Sequence, residues 1–142
     1  MERIEKKILS AILVIFCFVA GQLAANCEQY TAQQLTTPQT VSYDNCTKTY
    51  NISSEKLFYL TLASITANRF EIKEMQSKTG YILFKAANKE FLATVVYFGL
   101  NKSMLKITPT NNNYYFAPGI VTNIFKYIDI NANSSIESIM KN

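Results

Sequence analysis

Residues 52–68 read ISSEKLFYLTLASITAN, and their spacing is that of an amphipathic helix. Ser53 stands where an N-cap is wanted, and Glu55 falls in the first turn, where the helix dipole favours an acid. Ile52 and Leu57 take the two positions of a hydrophobic staple. Leu57, Leu60, Ser64 and Ala67 form one stripe, which Phe58, Leu62 and Ile65 widen, and Asn68 supplies a stop. With a helix fixed here, its neighbours decide the fold class.

Upstream, residues 46–52 (CTKTYNI) alternate as a short strand does. Downstream, four strands are predicted at 70–75, 80–86, 90–98 and 104–108. The intervening QSKTG, ANK and GLNKS are too short for anything but hairpins, so the strands should run antiparallel. Pro118 and Gly119 then introduce a second helix, in which Ile120, Val121, Ile124, Phe125 and Ile128 recur at helical spacing. The order β-α-β-β-β-β-α predicts an α+β domain over residues 41–130, with a single antiparallel sheet of about five strands and two helices. Residues 26–40 (NCEQYTAQQLTTPQT) have no hydrophobic period and read as a flexible tether. Residues 131–142 (NANSSIESIMKN) read as a frayed tail with a weak helical pattern at Ile136, Ile139 and Met140. Asn111, Asn112 and Asn113 read as a polar loop, since Asn tolerates positive φ.

The run KTYNISSEKLFYLTLASITANRFEIKEMQSKTGYILFK, residues 48–85, resembles small bacterial envelope lipoprotein domains. It has an aromatic strand, a Ser entering a helix, an aromatic after the helix, and a Thr-Gly hairpin into an Ile-rich strand. The resemblance implies an accessory or binding domain on an envelope surface and brings no catalytic residues with it.

The N-terminus supports an exported location. MERIEKK is a short charged region, residues 8–20 (ILSAILVIFCFVA) are apolar over a signal-peptide length, and Leu23, Ala24 and Ala25 place small residues before a cut. Residues 1–25 are therefore read as a signal peptide. The alternative is an uncleaved anchor, although residues 8–25 fall short of the roughly 20 apolar residues of a spanning helix. Both readings put the domain in the periplasm, at the cell envelope or in the medium. Lipidation of Cys27 requires a small residue before it and an aliphatic residue two places further upstream. Asn26 and Leu23 displace that pattern by one. Cys27 and Cys46 then remain as a disulfide candidate, with eighteen residues between them. Closure would contribute roughly 3 kcal/mol if unstrained. Lipidation of Cys27 stays as the alternative, and would attach the chain to a membrane through its N-terminus.

Several chemistries are excluded. The sequence has no His, so Ser-His-Asp and Cys-His nucleophiles and His-based zinc sites cannot be built. Four scattered glycines make no phosphate loop, and no cofactor or metal is expected. The net charge of +4 is spread thinly, without the dense cationic stripe that nucleic acid needs. Acids such as Glu71 fall on expected solvent faces, so the chain is read as no enzyme, with a carboxylate-dependent hydrolase the weakest of three readings. The other two are a membrane-associated envelope accessory or binding protein and a soluble, disulfide-closed binding domain.

The middle strands carry the sharpest expectation. Ile82, Phe84 and Ala86 alternate with Tyr81, Leu83 and Lys85, while Leu92, Val96 and Phe98 alternate with Phe91, Ala93, Val95 and Tyr97. Both faces are largely apolar, whereas a sheet with helices on one side normally shows water a polar second face. Cover should come from the chain itself, by one helix per face or by the tail, or else from an envelope protein, a second copy or the membrane surface. In the latter case Ile82, Phe84, Leu92, Val96 and Phe98 are the interface candidates.

Overall fold

The computed structural model describes residues 31–141. Its organising helix, α2 (Ser54–Ala67), is the one encoded by residues 52–68. The Ser53 hydroxyl accepts from the Lys56 N–H at 3.3 Å, and the Asn68 amide donates to the Ser64 carbonyl at 2.8 Å, so side chains satisfy both helix ends. Leu57, Leu60 and Ile65 are fully buried. Thr61 and Ser64 lie among them and donate back to the Leu57 and Thr61 carbonyls, each at 2.7 Å, which removes the cost of two buried hydroxyls.

Around α2 the chain forms α1 (Ala32–Thr36), β1 (Gln39–Thr40), a 3₁₀ turn (Tyr43–Cys46) and β2 (Thr47–Tyr50). After α2 come β3 (Glu71–Gln76), β4 (Tyr81–Ala86), β5 (Lys89–Gly99), β6 (Lys102–Pro109), β7 (Tyr115–Phe116), α3 (Gly119–Asn131) and α4 (Ile136–Met140). The fold is α+β. Its main sheet has five antiparallel strands in the order β2-β6-β5-β4-β3, and β1 pairs with β7 in a two-stranded sheet.

The strands β3 to β6 form a meander, and their turns explain its register. Gly80 has φ 73°, and a Cβ there would lie 2.9 Å from the Val95 carbonyl oxygen, so this tight return into β4 requires glycine. Ala87 and Asn88, both at positive φ, form a two-residue turn that pairs Ala86 with Lys89. From that pairing follow Phe84 opposite Phe91 and Ile82 opposite Ala93. An aromatic ladder results: Phe70 stacks on Phe84 at 5.8 Å, Phe84 on Phe91 at 5.5 Å, and Phe91 meets Phe116 edge-on at 5.0 Å.

Two segments differ from the sequence reading. Within the stretch read as a tether, residues 31–40 are folded. The Gln34 side chain accepts from the Thr31 N–H at 3.0 Å, β1 pairs with β7, and Leu35 comes so close to Gly119 that a Cβ there would lie 2.7 Å from its carbonyl oxygen. Backbone hydrogen bonding and a glycine-sized gap hold this segment, and neither produces a hydrophobic period. The tail is likewise held: Ser135 caps α4, and Ile139 is buried against the helical layer, where α4 packs on α2. A single well-placed isoleucine docks it.

Candidate functional site

All the packing of α2 against the sheet is made on one face, where Ile82, Phe84, Phe91, Ala93, Leu105 and Ile107 form the core. Helix α3 joins the same layer. Ile124 and Ile128 are fully buried, and the Asp129 carboxylate accepts from Lys48 at 2.6 and 2.7 Å beside the edge strand β2. The sequence expectation that Ile82 and Phe84 share an interface with Leu92 and Val96 is thereby corrected. Ile82 and Phe84 are fully buried beneath the helices, whereas Leu92 and Val96 lie on the opposite face. Both forms of cover by the chain itself are corrected too: α3 packs beside α2 in one layer, which rules out one helix per face, and the tail helix α4 packs on α2.

Among the described residues no helix or strand lies over that opposite face. Its side chains form transverse rows set by the strand register. Glu74, Leu83, Leu92 and Thr108 make one row, and Gln76, Tyr81, Thr94, Lys106 and Thr47 the next. Val96, Met104 and Thr49 make a third. Leu83 and Leu92 in the first row and Val96 and Met104 in the third thus make an apolar strip that the row of Tyr81, Thr94 and Lys106 interrupts, each of the four side chains half-buried by its neighbours. The rim is charged. Glu71, bonded to Lys73 at 2.6 Å, and Glu74, which accepts from the Tyr81 hydroxyl, stand on edge strand β3, while Lys106 on β6 lies within the face, beside Thr94. The Glu71 carboxyl is held below its usual range by the hydrogen bond from Lys73, the opposite of what a general acid needs at neutral pH. Glu74 in turn raises the pKa of the Tyr81 hydroxyl by accepting its hydrogen bond.

At one end of the sheet, an open cleft of about 610 Å³ lies between the first turns of α2, the Ser77–Gly80 turn and the end of β5. Phe58 and Val95 floor it; Glu55, Lys78 and Tyr97 stand around its mouth. Beyond it, the β5–β6 hairpin projects. Phe98 forms a bulge there, because Tyr97 pairs with Ser103 and Gly99 with Lys102. Tyr97, Phe98 and Leu100 are 62%, 56% and 85% exposed. Phe98 was expected from the sequence as an interface residue; Tyr97 and Leu100 were not.

Cys27 lies outside the described residues, as does the whole segment read as a signal. Cys46 closes the 3₁₀ turn, fully buried and with a free thiol. Loss of solvent pushes that thiol up to about 11, so it is protonated and a poor nucleophile at neutral pH. At the end of β2, Tyr50 has a buried hydroxyl without a partner among the described residues, and its pKa is raised by burial and by the Asp129 charge. Among the described residues, no three His, Cys, Asp or Glu side chains are grouped to hold a metal ion. Neither a protein-family model nor a curated protein sequence matches the chain.

Proposed function

We propose that the chain is an exported, non-catalytic accessory of the cell envelope whose domain works by binding another envelope protein or a second copy of itself. The observation that carries this is the apolar strip of Leu83, Leu92, Val96 and Met104 on a sheet face over which no described element lies. An apolar strip with a charged rim is the composition of an interface, where the centre excludes water and the rim sets orientation. The charged, apolar and small-residue succession over residues 1–25 supports export. A cut after Ala25 would start the chain at Asn26 and keep both Cys27 and the buried Cys46. Intact mass of the mature chain tests this arrangement. A chain starting at Asn26 that gains two hydrogens on reduction is expected, and acyl mass on a chain starting at Cys27 would instead establish lipid attachment.

The binding role is tested in cells with a photo-crosslinking side chain at Leu92 and, as control, at Tyr115. A discrete crosslinked species from Leu92 alone is expected in the envelope fraction. Absence of that species, or a cytoplasmic location of the chain, would sink the proposal.

A further inference from the structure

We infer that the β5–β6 hairpin end of the domain inserts into the surface of an anionic lipid bilayer. The apolar strip plays no part in this, and the inference holds whichever partner that strip takes. Three large side chains, Tyr97, Phe98 and Leu100, stand exposed within four residues at the end of the longest strand pair. Their directions differ. Tyr97 continues the helix-side alternation of Val95, Phe98 is the bulged residue, and Leu100 occupies the two-residue turn with Asn101. One flat protein surface could meet only part of such a set, whereas a fluid interface closes around all of it. The chemistry is also graded as a bilayer is. Leu100 is outermost, the aromatic rings lie behind it, and aromatic rings favour the headgroup level.

The charges complete the match. The Gly80 carbonyl accepts from the Val95 N–H at 2.7 Å, so the β3–β4 turn lies at the same end of the sheet as the β5–β6 turn. Exposed Lys78 on the first turn and exposed Lys102 on the second thus flank the apolar tip. Glu55 stands back at the start of α2, beside the cleft. A tip with cations behind it suits phosphate-bearing headgroups, each lysine near the surface strengthening binding by about fivefold.

The chain contains no Trp, so a single introduced one reports its own surroundings. Full-length chains carrying Phe98→Trp, or Tyr115→Trp at the opposite end of β5, are mixed with vesicles of equal phosphatidylcholine and phosphatidylglycerol, plain or with brominated acyl chains. The expected result is a blue shift and bromine quenching for the Phe98→Trp probe alone. Adding Leu100→Asp should weaken the response about tenfold or more, with the circular dichroism and melting of the probe chain retained. Lys78→Gln and Lys102→Gln should each weaken it about fivefold, and more vesicle charge should restore it. Vesicle binding without quenching of the Phe98→Trp probe would place attachment elsewhere and overturn the inference. Equal quenching at both positions would do the same. So would a blue shift that depends on protein concentration and not on lipid, which would assign the tip to a second copy.

Discussion

Tyr50 and Cys46 show how single residues on β2 and its preceding turn trade polarity against packing. The Tyr50 hydroxyl is buried without a partner among the described residues, while Lys48 sits 5.4 Å above its ring. An orphaned buried hydroxyl costs about 1–3 kcal/mol, so Tyr50→Phe should raise stability by about 1 kcal/mol in urea melts, and a loss would show that the hydroxyl has a partner. Asp129→Asn, by contrast, should change stability by less than about 1 kcal/mol, because the Lys48–Asp129 pair is about two-fifths exposed. Cys46 gives a pH signature. Its folded-state pKa, raised to about 11, lies above the unfolded value near 9, so folding holds the proton. The associated stability is complete below pH 9 and lost as pH rises through 11, about 2–3 kcal/mol across the window. Chemical melts at rising pH should show that slope, and Cys46→Ala should flatten it. A slope unchanged by the substitution would mean that other groups govern alkaline stability.

At the scale of elements, α2 was fully legible because capping, staple and periodicity agreed, and each rests on local chemistry that tertiary packing reinforced. The middle strands were found but their faces were not. Reading ANK as a three-residue separator leaves the register open, whereas Ala87 and Asn88 alone make the turn and pair Ala86 with Lys89. A shift of one residue exchanges the two faces of a strand, which is how Ile82 and Phe84 were grouped with Leu92 and Val96. The Asn-rich loop was legible for the opposite reason: Asn112 does adopt φ 56°, while Asn111 and Asn113 accept from backbone N–H groups two residues on, at 3.1 and 3.0 Å. Helix α4 showed in the weak pattern at Ile136, Ile139 and Met140, but five residues hold too little of it to reveal that the tail docks. Deleting residues 132–142 should cost about 2 kcal/mol, the order of burying Ile139 and what it covers, without altering association through the open sheet face. Thermal melts and sedimentation of the shortened chain check both halves, and increased self-association would mean that the tail shields an interface after all.

For the whole molecule, the two edges and the two faces of the sheet have divided tasks. Edge strand β3 is bulged at Lys73 and carries Glu71 and Glu74, devices that discourage a further strand from adding on, while β2 at the other edge is only four residues long. That leaves the open face and the hairpin tip for the two associations proposed above. These two edge strands also flank α2 in sequence, yet three strands separate them in space. Neighbouring hairpins of the meander can form as soon as each turn has left the ribosome or the translocation pore. Strand β2 cannot: Tyr50 must wait for Ser103, more than fifty residues later, before its ladder exists. During synthesis or export, the N-terminal third of the domain is thus held open with β2 and the apolar side of α2 unmatched, and this is the interval in which a holding chaperone would find its substrate.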